Sequence, residues 1–243
     1  MSKAVFFVTW EDAPHLTQDQ KEAMLASIPA WQRAARSKGT PSLGSGAIYQ
    51  VPEEDVTVKG FDIPKHWPRA YALDVGWNRT AALWGALDQE SQTLYVYDEY
   101  YRGQAEPSVH AAAIRKRGDW MKGVVDPAAR GRSQTDGRQL LQLYQDLGLD
   151  IEKADNAVEA GIYAVWERLS QGRLKFFSHC ANLLSEYRLY RRDEKGNVVK
   201  RSDHLCDCLR YLVMSGLERA STEPDITPGK RWFDWSPPPV WSG

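Results

Sequence analysis

From residue 69 onward, three short apolar segments follow one another with only turns between them, and this spacing constrains the fold more than any other feature of the chain. The segments cover residues 71–75, 80–87 and 93–97, and turns at 76–78 and 88–90 separate them. Strands that lie this close in sequence pair most readily with their immediate neighbours. The pattern therefore predicts an antiparallel meander.

The segments after this meander alternate between strand and helix patterns. We expect strands at 123–126, 149–151 and 173–177, helices at 108–116, 137–147, 157–170 and 203–217, and a β-hairpin at 187–200. A meander followed by alternating strands and helices is typical of a mixed sheet with helices on its faces. The predicted fold class is therefore α/β, with antiparallel strands first and parallel strands after them.

Both ends of the chain differ from this central region. Residues 1–65 contain a strand pattern at 5–10, a helical pattern at 16–28 with Thr17 as its predicted N-cap, and a glycine-rich loop at 38–46. One strand and one helix do not make a core, so this stretch is interpreted as a linker or the end of another domain. After residue 222 the prolines exclude regular helix and central strand. The predicted divisions are a linker at 1–65, a domain at 66–220 and a proline-rich tail at 221–243.

Charge and cysteine content narrow the class of protein. The chain has 31 Lys and Arg against 32 Asp and Glu, and this balance excludes a uniformly basic surface but not a nucleic-acid enzyme with a local acidic site. Three cysteines cannot form a full set of disulfides, so a reducing compartment is expected. No apolar run reaches the roughly 18 residues of a membrane span, so no membrane association is predicted.

Four aspartates stand where side chains from different elements can meet. Asp74 lies inside one apolar strand pattern, Asp126 ends another, and Asp203 and Asp207 are spaced i, i+4 at the start of the last predicted helix. Converging carboxylates repel one another unless protons or cations bridge them, and Mg²⁺ and Mn²⁺ prefer such oxygen ligands. The set indicates a metal site, although a turn or helix-cap role also explains each aspartate taken singly.

Two basic segments flank these acids. Arg130 and Arg132 follow Asp126 within a few residues. The predicted hairpin region carries a second group of cations, namely Arg191, Arg192, Lys195, Lys200 and Arg201. Such side chains position DNA phosphates, whereas charges on a hairpin edge also serve to prevent aggregation. Both interpretations stay open from the residues alone.

The remaining candidates lie in the last predicted helix and in the glycine-rich loop. His204 precedes Asp207 by three residues and either serves a phosphate or metal site or simply begins the helix. Cys206 and Cys208 point in different directions on a helix, so we interpret them as packing residues rather than zinc ligands. The loop at 39–46 has phosphate-loop glycines but no lysine after them, so no ATP site is predicted in this chain.

Five motifs, taken in order, resemble a known family. They are YALDVGW at 71–77, TAALWGA at 80–86, LYVYDEYY at 94–101, VDPA at 125–128 and DHLCDCLRY at 203–211. Together they resemble the C-terminal nuclease domain of tailed-bacteriophage terminase large subunits, over about residues 66–218. That resemblance implies an RNase H-like fold, related to RuvC resolvases and integrases.

The resemblance also implies an activity and the residues for it. Proteins of this family cut concatemeric double-stranded viral DNA during genome packaging, with divalent metal held by three aspartates. By motif position these are Asp74, Asp126 and Asp207, holding two Mg²⁺ or Mn²⁺ ions. Asp203 is a possible fourth ligand, and which of Asp203 and Asp207 is primary stays open. The possible auxiliary residues are His204 and Glu99.

Partners and a place of action are implied by the same resemblance. Besides double-stranded DNA, we expect the portal protein, the small terminase subunit and a packaging ATPase domain, in a complex in the host cytoplasm that is absent from the mature virion. Residues 1–65 resemble the end of such an ATPase. The chain is therefore interpreted as an excised nuclease fragment or the product of a split gene, without ATP hydrolysis of its own.

Two other functions are kept as alternatives. One is a RuvC-like junction resolvase or transposase core, which would prefer branched DNA to linear duplex. The other is a non-catalytic module that docks on a portal or motor partner and leaves DNA uncut. Aspartates at the ends of two buried strands favour catalysis, because a docking surface has no need of them.

Overall fold

The computed structural model describes residues 16–27, 46–127, 134–193 and 195–224. Its helices and strands, in chain order, are α1 (Gln18–Ser27), α2 (Glu53–Val56), β1 (Thr57–Val58), β2 (Arg69–Asp74), β3 (Thr80–Asp88), β4 (Thr93–Arg102), α3 (Pro107–Arg115), β5 (Lys122–Val125), α4 (Gln134–Asp146), β6 (Ile151–Lys153), α5 (Val158–Ser170), β7 (Leu174–Phe177), α6 (Ala181–Leu189) and α7 (His204–Tyr211). A π-helical turn at Leu212–Gly216 and a 3₁₀ turn at Leu217–Arg219 continue α7. None of the described helices has the length and apolarity needed to cross a membrane.

The strands form a seven-stranded mixed sheet in the order β1-β7-β4-β3-β2-β5-β6. Strands β2, β3 and β4 pair antiparallel with their sequence neighbours. The remaining pairs, β1 with β7, β7 with β4, β2 with β5 and β5 with β6, are parallel. The predicted meander and the predicted α/β class are therefore confirmed.

The alternation of side chains along β2 divides the core between the two faces of the sheet. Ala70 and Ala72 belong to the cluster that packs under α5, α6 and α7. Tyr71 and Leu73 belong to the cluster under α3 and α4. Asp74 continues the first set, so its side chain leaves the strand on the α7 face.

A glycine in β5 permits a tight contact within the second cluster, and its replacement makes a test of the packing. Gly123 lies opposite Tyr71, and a Cβ at this position would come 2.3 Å from the Tyr71 ring. Because Tyr71 is 1% exposed and cannot move aside, we expect Gly123→Ala to lower the free energy of unfolding by about 1–3 kcal/mol in urea titrations.

The matched control for this substitution removes the obstructing ring. In a Tyr71→Leu background the added methyl group meets more space, so the further cost of Gly123→Ala falls below about 1 kcal/mol. An equal cost in both backgrounds would contradict the contact.

The predicted hairpin at 187–200 is confirmed around its turn, but its first residues are helical. Helix α6 extends to Leu189, because Leu183, Leu184 and Tyr187 form a buried helical face. Beyond this helix the chain makes a tight turn in which Asp193 accepts backbone N–H groups of Lys195 and Asn197, at 2.9 and 2.8 Å. Among the described residues, an antiparallel bridge between residues 192 and 198 pairs the two sides of this turn, with backbone hydrogen bonds from Asp193 N–H to the Asn197 carbonyl at 2.8 Å and from Val199 N–H to the Arg191 carbonyl at 3.0 Å.

Residues before the predicted domain boundary pack on the sheet. Strand β1 pairs with β7, and Val56 is 1% exposed.

Helix α1 begins with a reciprocal cap in which the Gln20 backbone N–H donates to Thr17 Oγ1 at 3.3 Å and Thr17 N–H donates to Gln20 Oε1 at 3.0 Å. The predicted strand at 5–10 and most of the glycine-rich loop lie outside the described residues, and the divisions at 65 and 220 stay predictions.

Candidate metal centre

Two of the predicted aspartates stand side by side at the carboxyl ends of parallel strands. Asp74 is the last residue of β2, and Asp126 directly follows β5. Leu73 and Val125 are paired in register, and the Asp126 N–H donates to the Leu73 carbonyl at 3.0 Å. Sheet pairing therefore places residues 52 positions apart in the chain at one edge of the sheet.

The start of α7 brings further acids to the same edge. Asp203 occupies the N-cap position and Asp207 lies in the first turn. His204 makes the direct link, since its Nδ1 lies 2.8 Å from Asp74 Oδ2. Apolar residues on the opposite side of α7, among them Leu205 and Leu209, are fully buried and hold the helix on the sheet.

Electrostatic effects show that these carboxylates share one environment. Burial raises the pKa of Asp74, and the charges of Asp126 and Asp207 raise it further, while the His204 hydrogen bond and charge oppose this. The phenol of Tyr211 is affected by all three acids: its pKa is raised chiefly by burial, with added repulsion from Asp126, Asp207 and Asp74. Asp126 and Asp207 therefore each lie close enough to repel Asp74.

Two cations compensate the acids on α7. Lys200 Nζ lies 3.2 Å from Asp203 Oδ2 and 3.1 Å from Asp207 Oδ2. Arg210, which is 1% exposed, donates from Nη2 and Nε to Asp207 Oδ1 at 2.8 and 3.2 Å. Asp203 Oδ2 is buried and makes no well-directed hydrogen bond, even with Lys200 nearby. Asp203 thus carries an oxygen with free capacity beside the other acids.

The donor chemistry at this edge fits a divalent metal ion. Asp74, Asp126, Asp203 and Asp207 supply carboxylate oxygens, which hard cations such as Mg²⁺ and Mn²⁺ prefer. Among residues 16–27, 46–127, 134–193 and 195–224, however, no three His, Cys, Asp or Glu side chains are close enough together to form a ready ligand cage. The residues converge on one edge, with Lys200 and His204 among the groups that now occupy their oxygens.

The hairpin cations predicted to bind DNA are placed differently from one another. Arg191, Lys195 and Arg201 are exposed. Arg192 instead donates to both Glu159 carboxylate oxygens at 2.9 and 2.6 Å, and Lys200 lies on the acids of α7. Arg130 and Arg132 lie outside the described residues. The DNA-binding role of the whole set stays a prediction.

The predicted auxiliary residue Glu99 caps a helix. Its Oε1 accepts the backbone and side-chain amides of Asn182 at 2.9 and 2.7 Å, and its Oε2 accepts the Leu183 N–H at 2.8 Å. Both oxygens therefore serve the start of α6. The predicted packing role of Cys206 and Cys208 agrees with their complete burial.

Sequence reasoning missed Glu186, a buried acid that binds the start of α7. It is 3% exposed, and its Oε2 accepts the Leu205 N–H at 2.6 Å. The available signal was an acid between apolar residues at helical spacing, directly before the segment that was interpreted as a hairpin.

The mixed sheet, its strand order and the acids at the carboxyl ends of β2 and β5 define an RNase H-like nuclease fold. The chain belongs to the terminase RNaseH-like domain family, whose sequence profile matches residues 71–215. It is 32% identical over 228 residues to the terminase large subunit of Enterobacteria phage LP7, covering 90% of this chain and 48% of that protein. With the terminase large subunit of Salmonella phage P22 it is 32% identical over 223 residues, covering 88% and 44%.

A solved structure agrees with these sequence relatives. The nuclease domain of the P22 large terminase superposes with a TM-score of 0.69 at 28% identity, covering 74% of this chain and 97% of that one. The chain spans about half the length of the curated relatives it matches. The family and the fold predicted from the sequence motifs are confirmed.

Proposed function

We propose that this chain is a metal-dependent endonuclease that cuts concatemeric double-stranded viral DNA during genome packaging. The observation that carries the proposal is that strand register sets Asp126 beside Asp74 and the His204–Asp74 contact brings the start of α7, with Asp207, to the same edge. In agreement with this, the charges of Asp126 and Asp207 both raise the pKa of Asp74. Repulsion between carboxylates lowers the stability of a folded protein. It is typical of functional sites, where a bound cation relieves it. Membership of the terminase RNaseH-like domain family supports the same activity.

Asp74, Asp126 and Asp207 would hold the metal, with Asp203 as a possible fourth ligand. Divalent ions held there would supply the activation of water and the stabilisation of the leaving oxygen of a phosphodiester. The protein's part is to keep Asp74 ionised and oriented. An ionised carboxylate only accepts hydrogen bonds, so in that state His204 Nδ1 would carry the proton in its 2.8 Å contact with Asp74 Oδ2.

Arg210 and Lys200 divide the two oxygens of Asp207 between them. Arg210 binds Oδ1 from the protein interior, so this oxygen is held by a side chain that is 1% exposed. Lys200, whose side chain is 57% exposed, lies on Oδ2. Oδ2 is therefore the oxygen that can exchange an ammonium for a divalent ion, and Oδ1 is the one that orients the carboxylate.

DNA phosphates would meet the exposed cations near this edge. Arg191, Lys195 and Arg201 are exposed in the turn and loop that lead into α7. Contacts of this kind position the backbone without reading bases, so we propose cutting with little sequence preference. Arg130 and Arg132 would extend the contact on the Asp126 side.

The role in packaging extends to parts beyond this chain. Since the chain covers about half of its relatives' length, translocation and ATP hydrolysis would belong to an ATPase domain. The portal protein and the small terminase subunit are the further proposed partners, in the host cytoplasm.

A cleavage assay tests the proposed activity. We expect the chain to nick and linearise plasmid DNA and to cut linear duplex in Mn²⁺ or Mg²⁺, with all cleavage abolished by EDTA and restored by excess metal. Linear duplex should be cut at least as fast as a four-way junction of the same sequence.

Other outcomes separate the alternatives. Preference for the junction would indicate a resolvase or transposase core. No nicking at any concentration of either metal, with binding to a portal or motor protein retained, would indicate a docking module.

A further inference from the structure

We propose that Glu186 is a positioning residue: its buried carboxylate holds the first turn of α7 against the sheet and thereby sets His204 and Asp207 beside Asp74. Its effect on cleavage rests on the proposed nuclease function. Its effect on the position of the His204 side chain does not depend on that function and can be measured without a cleavage assay.

Both carboxylate oxygens of Glu186 are used. Oε1 accepts the Tyr101 hydroxyl at 2.8 Å. Oε2 accepts the backbone N–H groups of Leu205 and Cys206, at 2.6 and 3.3 Å. The side chain is 3% exposed, so water does not substitute for these contacts. One carboxylate thus joins strand β4 to the start of α7.

These contacts supply a cap that α7 does not provide for itself. The first N–H groups of a helix have no partner within the helix. Asp203 stands at the N-cap position, yet its side chain makes no capping hydrogen bond. Glu186 on α6 satisfies two of the unpaired groups instead, and its negative charge lies at the positive end of the α7 dipole.

The strand register shows why this cap bears on the candidate metal centre. Tyr101 on β4 is opposite Ala81 on β3, and Ala81 is opposite Asp74 on β2. Tyr101 and Asp74 therefore lie in one row across the sheet. The Glu186 carboxylate ties α7 to that row, and the two N–H groups it binds belong to the residues between His204 and Asp207.

Helix α6 is itself held by a second carboxylate on β4. Glu99, two residues before Tyr101 and on the same face of the strand, caps the first turn of α6 through Asn182 and Leu183. The sheet thus fixes α6 through Glu99, and α6 with the sheet fixes α7 through Glu186. The predicted auxiliary acid Glu99 therefore helps to position α7 indirectly, by holding the start of α6 on the sheet.

A carboxylate as buried as that of Glu186 needs hydrogen-bond partners in the folded protein. Burial raises the pKa of Glu186, while its hydrogen bonds to Tyr101, Leu205 and Cys206 oppose the rise. A buried acid without such partners would be costly. Glutamine has one oxygen for the helix N–H groups but no charge for the helix dipole, so it should replace Glu186 in part and alanine not at all.

The first experiment measures the place of His204 in the metal-free and DNA-free full chain. Imidazole NMR signals of ¹⁵N-labelled histidine are compared for wild type, Glu186→Ala and Glu186→Gln, with His204→Asn identifying the signal. We expect the His204 resonance to move toward that of an exposed histidine in Glu186→Ala and to move less in Glu186→Gln.

The matched control is the next residue on α6. Tyr187→Phe removes a buried hydrogen bond, from Tyr187 Oη to the Val51 carbonyl at 2.8 Å, without touching the cap. It should leave the His204 resonance unchanged. A general loosening of α6 would instead shift this signal in both variants.

The second experiment measures single-turnover cleavage of linear duplex at saturating Mn²⁺. We expect the rate to fall about 10–100-fold in Glu186→Ala, as for other groups that orient metal ligands, and less than 10-fold in Glu186→Gln, with DNA affinity within twofold of wild type. Tyr187→Phe should cut at the wild-type rate.

The two experiments fail separately. A wild-type chain that never cuts DNA overturns the proposed function, and the NMR comparison still decides the positioning. A His204 resonance unchanged in Glu186→Ala overturns the positioning. If Glu186→Ala does not fold, Glu186→Gln decides instead. A soluble Glu186→Gln with the wild-type His204 resonance, DNA affinity and cleavage rate would also overturn the positioning. A loss of DNA affinity equal to the loss of rate would also overturn it.

Discussion

We expect Asp74→Asn to abolish DNA cleavage while leaving the protein folded. Asparagine keeps the size of the side chain and an oxygen that can accept a hydrogen bond from His204, but it removes the negative charge on which the proposed metal binding depends. Outer-shell partners of metal ligands already cost about 10–100-fold in activity, so loss of a ligand should lower the rate by more than about 100-fold. Single-turnover cleavage of linear duplex in Mn²⁺ measures this.

The control is an acid of the same type elsewhere on the surface. Asp119 is exposed in the turn before β5, and Asp119→Asn should cut at the wild-type rate. The melting temperature of Asp74→Asn should stay within a few degrees of wild type, because burial and the charges of Asp126 and Asp207 disfavour an ionised carboxylate at residue 74, and relief of these effects offsets the weaker contact with His204. Cleavage by Asp74→Asn at a rate within twofold of wild type would contradict both the role of Asp74 and the proposed metal centre.

We expect Arg210→Met to cause a large loss of stability in the folded chain. Arg210 is 1% exposed and binds Asp207 Oδ1 through two nitrogens. Removing one partner of a buried pair leaves the other charge without compensation, at a cost of about 3–5 kcal/mol. Lys200 still contacts Oδ2, so we expect a loss at the lower end of that range, measured by urea unfolding.

Two companion variants make this result interpretable. Arg210→Met with Asp207→Asn removes the charge that the single substitution leaves unpaired, and it should recover part of the loss. Arg219→Met breaks pairs with Asp150 and Glu152, whose side chains are 53% and 67% exposed, so it should cost no more than about 1 kcal/mol. A cost for Arg210→Met as small as that for Arg219→Met would contradict the buried pair.

The central part of the fold could be predicted because its signals are local. Short turns between the three apolar segments leave only antiparallel neighbours, and β2, β3 and β4 pair in that way. Helix α6 was missed for the opposite reason: its buried face lies next to charged residues that also fit a hairpin, and only packing against the sheet selects the helix.

The residues of the candidate site also fall into those that local sequence predicts and those that only tertiary contacts place. Asp74 and Asp126 were predictable as acids at the ends of apolar strands, and sheet register puts them together. That Glu99 would cap α6, and that Arg192 would bind Glu159 rather than remain exposed, depends on contacts between residues 83 and 33 positions apart. No local pattern carries that information.

By itself, the order of apolar segments and acids determines the α/β class, the meander and which aspartates end buried strands, because strand alternation and turn spacing act between near neighbours in the chain. Only the tertiary structure decides which of those acids meet, which cation lies on each, and that a glutamate from α6 caps the helix carrying His204 and Asp207. Those choices depend on the burial of α6 and α7 on one face of the sheet, where a charged group must find its partner among whatever side chains folding has brought near.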